Sequence, residues 1–258
     1  MKDITRLLCM VLLSFLVVAG CSRRDILDDY PVSGVEVRLD WSGVTEKLPE
    51  GVRIIFYPKD EKGRKIDTYL SVTGGEVKVP SGHYAVVIYN YDTETVLIRG
   101  EESYETIQAY TNFCKLGIAG TEKMVWGPDP LYVVNIDDLD IQNSEETLIL
   151  KLKPKLVIRT YSFSIKVQGL SNVSNVIGSI GGMADHYFLG KAYAMCDDYP
   201  INIDLNVKAG KIEGVFTTFG LPEAIITRLE IKLPVMMNLM IIKVDNSVQE
   251  VKINITEA

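Results

Sequence analysis

From Val35 onward, apolar side chains return at every second position in one short run after another, the period of strands that turn one face to a core. Val35, Val37, Leu39 and Trp41 form the first row. Val52, Ile54 and Phe56 form the second, opened by the turn Pro49, Glu50, Gly51 and closed by Pro58. The polar stretch from Lys59 to Lys65 predicts a surface hairpin. After Thr73, Gly74 and Gly75 come Val77 and Val79, then the turn Pro80, Ser81, Gly82. Tyr84, Val86 and Ile88 next interleave with Ala85, Val87 and Tyr89, so both faces are apolar and a central strand is expected. The spacing of Tyr104, Ile107, Tyr110, Thr111 and Cys114 fits a short helix or an irregular excursion better than a strand. Trp126, Gly127, Pro128, Asp129 and Pro130 make a rigid turn before a strand over 131–134 and an acidic loop of Asp137, Asp138 and Asp140.

A further row stands at Leu148, Leu150 and Leu152. After Pro154 a new set begins with Tyr161, Phe163, Ile165 and Val167. One helical turn is expected over 172–177, and the glycines Gly178, Gly181 and Gly182 after it allow close backbone approach or a bulge. Later rows are Ile201, Ile203, Leu205 and Val207; Val215 to Phe219; Leu229, Ile231 and Leu233; Met237, Leu239 and Ile241; and Val251, Ile253 and Ile255. Regular short strands separated by turns predict an all-β protein of two β-sandwich domains, 31–154 and 155–258, parted near Lys153 to Lys155.

The first thirty residues break this pattern. Lys2 and Arg6 precede an apolar stretch from Leu7 to Val18, which gives way to Ala19, Gly20 and Cys21 and then to Ser22, Arg23, Arg24 and Asp25. A membrane-spanning helix needs roughly 20 apolar residues, and this run is shorter. It has the layout of a lipoprotein signal peptide over 1–20, with small residues where a peptidase approaches the backbone. Cys21 then becomes the first residue of the mature chain and the acceptor of a diacylglycerol, with 21–30 as a tether to the membrane.

Charge narrows the partners. Without Lys2, Asp3 and Arg6 the chain keeps 25 basic and 33 acidic side chains, which argues against nucleic acid and against a polybasic membrane patch. The lipid is then the membrane contact. Cys114 and Cys196 are the remaining cysteines of the mature chain; a disulfide between them stays open beside the commoner single buried thiol. No CxxC or HxxxH pair occurs, and His83 and His186 are the only histidines, so no metal ligands and no cofactor are expected.

Catalytic motifs are missing as well. The stretch Gly178, Ser179, Ile180, Gly181 lacks the glycine two places before a nucleophile elbow's serine, and no phosphate-binding or dinucleotide loop is present. Carboxylates cluster at Glu101 and Glu102, at Asp137, Asp138 and Asp140, and at Asp197 and Asp198; their ordinary role is that of solvated charges that guard strand edges. Of the 13 tyrosines, Tyr89, Tyr91, Tyr104 and Tyr110 could gather as an aromatic patch, against the commoner alternative of core positions.

Several segments carry a resemblance. Cys21 to Arg24, Val37 to Trp41, Pro49 to Val52 and Phe56 to Pro58 resemble the opening of the fimbrillin-like surface lipoproteins of Gram-negative gut and oral bacteria. Gly75 to Tyr84, Val87 to Asp92, Val167 to Leu170, Gly181 to Ala184 and Phe216 to Gly220 extend it over most of the mature chain. The resemblance implies transthyretin-like sandwiches on a lipid tether, related to the anchor subunits of Bacteroidales fimbriae, with no enzyme activity. It also implies partners that join by β-strand addition, with residues 31–41 and the last strand as the pairing edges. Only Thr256, Glu257 and Ala258 follow Ile255, so no long donor tail is expected, which suits a terminal position in a fibre or no fibre. The expected function is a non-enzymatic anchor or terminal subunit at the outer membrane; the alternative is a surface glycan- or protein-binding adhesin that uses Tyr91 and Trp126 on loops. Asp25, Asp28 and Asp29 loosely resemble an acidic export signal, while the lipid alone is compatible with either face of that membrane.

Overall fold

The computed structural model describes residues 32–60, 63–114, 123–208, 210–222 and 234–256. The signal peptide, Cys21, its tether and the row Leu229, Ile231, Leu233 lie outside the described residues. In chain order the strands are β1 (Val32–Leu39), β2 (Gly51–Pro58), β3 (Ile66–Ser71), β4 (Gly74–Pro80), β5 (Gly82–Asn90), β6 (Val96–Arg99), β7 (Gln108–Thr111), β8 (Phe113–Cys114), β9 (Met124–Val125) and β10 (Tyr132–Ile141). They continue with β11 (Leu148–Leu152), β12 (Lys155–Leu156), β13 (Arg159–Lys166), β14 (Val173–Gly181), β15 (His186–Phe188), β16 (Tyr193–Met195), β17 (Ile201–Lys208), β18 (Lys211–Thr218), β19 (Met236–Lys243) and β20 (Val248–Asn254). The period-two rows among the described residues are these strands.

The first sheet has the order β11-β1-β4-β3-β2-β5-β10-β12. One core is built wholly from this sheet, with Val35, Val37, Val52, Ile54, Phe56, Val77, Val79, Tyr84, Val86, Ile88 and Ile141 all turned to one side. A single sheet encloses its own side chains only by curling round them. Its opposite face, through Ile55, Tyr57, Ala85, Val87 and Tyr89, packs on a small sheet of order β16-β15-β7-β6 through Val96, Ile107, Ala109, Leu189 and Ala194. β5 is therefore central, as its two apolar faces predict. The small sheet draws strands from both sides of residue 154.

The remaining strands enclose the third core, which includes Ile180, Ile201, Ile203, Ile212, Phe216, Met237 and Leu239. Here β17 changes partner along its length: Ile201 to Ile203 pair with β14, whereas Asp204 to Lys208 pair with β18. One strand thus turns the corner between two leaves, β13-β18-β17 and β17-β14-β19-β20. Gly214 lies opposite Phe163 across the leaf, and a Cβ there would come within 2.3 Å of the Phe163 ring.

Four expectations need correction. β1 is no pairing edge, because β11 binds it in parallel on one side and β4 antiparallel on the other. Residues 104–114 hold no helix: turns occupy 101–106, and β7 and β8 follow, since Ile107 and Ala109 fill the core two positions apart. The helical turn falls earlier, as a 3₁₀ turn at Leu170–Asn172, and Val173 already begins β14. Asp137, Asp138 and Asp140 sit within β10, where a bulge between Ile136 and Leu139 shifts the register against β5.

Gly74 begins β4 at φ +102°, where a Cβ would lie 2.0 Å from the Val37 carbonyl oxygen. Gly169 at φ +79° has open space around it. Gly169→Ala should cost about 1 kcal/mol for the left-handed backbone alone. Gly74→Ala should cost about 2–4 kcal/mol, because a clash with fixed backbone is added. Urea unfolding of the two variants measures the difference.

Candidate assembly edges and ligand clusters

Among the described residues, the outer strands of each sheet have a strand neighbour on one side only. Among the described residues, β13 and β20 are the outer strands of the third-core leaves. β20 is guarded by Glu250 and Lys252, 3.3 Å apart on its exposed face, and Glu250 accepts from Asn238 Nδ2 at 2.9 Å. Asn238 Oδ1 is buried without a partner. β13 pairs with β18 over its whole length, and from Thr160 to Ile165 it carries no charge at all. Uncharged edges are open to β-strand addition, since charge and bulges are what ordinarily block it.

On the other face of the first sheet, Arg53 marks where the apolar core ends. Its guanidinium donates to Asp67 at 2.7 and 2.9 Å, to Glu101 at 2.8 and 3.0 Å and to the Tyr89 hydroxyl at 2.8 Å. Hydrogen bonding to Asp67 first, then Glu101, holds its pKa above the ordinary value despite partial burial. Beside it stands Tyr69, whose ring centre lies 5.8 Å from the guanidinium carbon, and Tyr91 meets Tyr69 edge to face at 5.2 Å. Tyr69 stays 60% exposed and Tyr91 44%. Gly51 is what admits Tyr91, for a Cβ there would be 2.8 Å from its hydroxyl.

The four tyrosines singled out by sequence are thus dispersed in their contacts. Tyr89 is buried against Arg53, Tyr104 packs on Tyr57 and donates to Asp137 at 2.7 Å, and Tyr110 lies under Arg99. Burial chiefly raises the pKa of Tyr57, Tyr89 and Tyr104. Trp126 is at the margin of exposure, its backbone tied to Asn112 and Thr111. A cleft of about 570 Å³ opens over Tyr57 and Tyr104, lined by Lys59, Lys65, Lys191 and Asp137. Its cations are already engaged: Lys59 with Asp138, Lys65 with the Glu101 carbonyl, Lys191 with Glu105.

Sequence spacing gave no hint of one further cluster. Asp185 and His186 lead into β15 and Asp197 follows β16, and the strand pairing of His186 with Met195 brings them together. His186 Nδ1 is 2.6 Å from Asp185 Oδ1 and 3.9 Å from Asp197 Oδ2. Asp185 Oδ2 accepts from the amides of Asp197 at 2.9 Å and Tyr199 at 3.3 Å. The hairpin between positions 188 and 193 was the missing signal, because its fold-back alone brings Asp197 to His186 across the ten residues between them. Next to Asp197, Cys196 is a free thiol, as is Cys114.

Comparison with known proteins follows the same lines. Residues 20–204 match DUF5119, described as a domain of unknown function. A Bacteroides ovatus protein named "Putative fimbrium anchoring subunit Fim4B" is 53% identical over 259 residues, covering 96% of this chain and 78% of the relative. A crystal structure of a "putative adhesin" from Bacteroides ovatus has a TM-score of 0.83 at 53% identity, covering 93% of this chain and 88% of that one. The fimbrial anchor protein Mfa2 from Porphyromonas gingivalis shares the fold, with a TM-score of 0.56 at 13% identity over 87% of this chain and 83% of its own.

Burial pushes the Cys196 thiol up to about 11; the hydrogen bond from the Asp198 amide opposes this, and the charges of Asp185, Asp198 and Asp197 add to it. At pH 8 its thiolate fraction should be roughly 100-fold below that of an ordinary thiol. Iodoacetamide should therefore label Cys196 slowly in the folded protein and fast in urea, as read by peptide mass spectrometry. Because burial penalises the thiolate, the fold is indifferent to this group below about pH 9 and loses stability as pH climbs toward 11, where only the unfolded chain ionises.

Proposed function

The chain belongs to the DUF5119 family, and on that premise we propose that it is a non-enzymatic, lipid-anchored protein of the outer membrane that anchors or terminates a fimbria-like assembly. The observation that carries this reading is the likeness, at 53% identity along nearly the whole chain, to the Bacteroides ovatus protein named for fimbrium anchoring. Two features of the chain support it. Cys21 closes a lipobox and offers the thiol for the lipid. Among the described residues, the outer edges of β13 and β20 offer backbone groups to a strand from a neighbouring subunit, with β13, uncharged from Thr160 to Ile165, the better acceptor. In a division into domains 31–154 and 155–258, both edges would belong to the second.

Three of the clustered carboxylates have structural employment: Glu101 on Arg53, Asp137 on Tyr104, Asp138 on Lys59. This supports a non-enzymatic role.

A second reading, an adhesin that binds glycan, is favoured by one observation, the exposed pair Tyr69 and Tyr91 beside Arg53, where ring faces and polar groups adjoin. In it Tyr91 and Trp126 remain the contact aromatics.

Cross-linking in the native envelope followed by mass spectrometry should recover fimbrillin-like subunits, and hydrogen exchange of the assembled sample should show new protection in β13 or β20. Unchanged exchange at both edges defeats strand addition. Cys21→Ser should release the protein from the membrane fraction; retention there would remove the lipid from the proposal. Glycan-array binding that disappears in Tyr91→Ala would move weight to the second reading.

A further inference from the structure

We propose that Asp185, His186 and Asp197 form a binding site for one divalent transition-metal ion of the zinc type. Their ligand atoms, two carboxylate oxygens and one imidazole nitrogen, all lie within 4.8 Å of one another. The separations from His186 Nδ1 are unequal. At 2.6 Å from Asp185 Oδ1 a proton suffices, but 3.9 Å to Asp197 Oδ2 is beyond a hydrogen bond. An ion held about 2.0–2.2 Å from each ligand would span that distance at a wide angle, since two such bonds reach about 4.2 Å when collinear, and it would replace the proton between His186 Nδ1 and Asp185 Oδ1.

The surroundings favour an ion over a proton. The His186 and Asp185 side chains are only 6% and 5% exposed, and Asp185 Oδ2 is held by the two amides, which leaves Oδ1 aimed at the imidazole. With neutral His186 the two carboxylates carry two negative charges, and Arg99 comes only to 3.9 Å from Asp197. A proton on the imidazole balances one of those charges, and a divalent ion balances both. Asp197, 53% exposed, gives the ion a way in and leaves room for water as a further ligand. Imidazole with carboxylate oxygens suits zinc and its neighbours better than calcium, which prefers oxygen throughout.

His83 provides the internal control. It also sits between two carboxylates, but Asp138 faces its Nδ1 at 3.5 Å and Asp140 its Nε2 at 3.8 Å. Opposite ring nitrogens cannot direct two carboxylates at one ion, and all three side chains there are about half exposed. Bound at the first cluster, an ion would join the start of β15 to the segment that enters β17, and so link the small sheet to the third core.

The test uses the full mature chain, stripped with chelator and titrated with zinc sulfate alone by calorimetry, with native mass spectrometry for stoichiometry. One equivalent should bind, and thermal unfolding should shift upward with zinc. Asp197→Asn, at the exposed side of the cluster, should weaken binding about tenfold or more while the chelated protein keeps its wild-type circular dichroism and melting temperature. His83→Gln should bind as wild type. The proposal fails if zinc up to millimolar leaves the wild type unchanged, or if binding persists in Asp197→Asn and vanishes in His83→Gln.

Discussion

Strand β5 has to serve two cores at once, and most of the architecture follows from that demand. Tyr84, Val86 and Ile88 point into the core enclosed by the first sheet, while Ala85, Val87 and Tyr89 point into the layer shared with the small sheet. Burying a Val or Ile side chain stabilises by about 1.5–3 kcal/mol, so neither face can be left to water without a large loss. β2 and β10 must flank it, the first sheet must curl on one side, and β6, β7, β15 and β16 must cover the other. The small sheet is therefore required by the first sheet's second face, and it is assembled from segments far apart in the chain.

Polar groups appear where that packing runs out. Arg53 is in register with Tyr89 on β5 and Tyr69 on β3, and it takes two carboxylates and a hydroxyl at the boundary between core and solvent. A charge so placed is tolerable because its donors are used. The same network holds Tyr69 and Tyr91 upright at the surface. At the far side of the shared layer, Asp185 and His186 occur at the start of β15, again with each buried polar atom close to a partner. Rigid polar clusters at the margins of an apolar scaffold are what a surface protein can vary without altering its fold.

Assembly and anchorage place different demands on the chain. On the proposed reading, a lipid at Cys21 would need only reach, whereas a subunit joined through backbone pairing would need an open, uncharged edge. Among the described residues β13 comes nearest to that condition, because between Arg159 and Lys166 it carries no charge, Phe163 and Ile165 face inward, and Thr160, Ser162 and Ser164 face outward. β20 is more guarded. β1 has no such opening, since its neighbours on both sides come from later in the chain.

Local pattern was enough to determine the strands, the central place of β5 and the all-β class, because alternation and turn residues act over a few neighbours. The same locality misled at Tyr104 to Cys114, where a three-residue recurrence imitated a helix, and at Asp137 to Asp140, where acidity concealed a bulged strand. It missed the pairing of β1 with β11 and the meeting of Asp185, His186 and Asp197. Those depend on which strands become neighbours, a choice made by the joint burial of three cores. No single window of sequence contains it, because the free energy that selects it is shared among residues far apart in the chain.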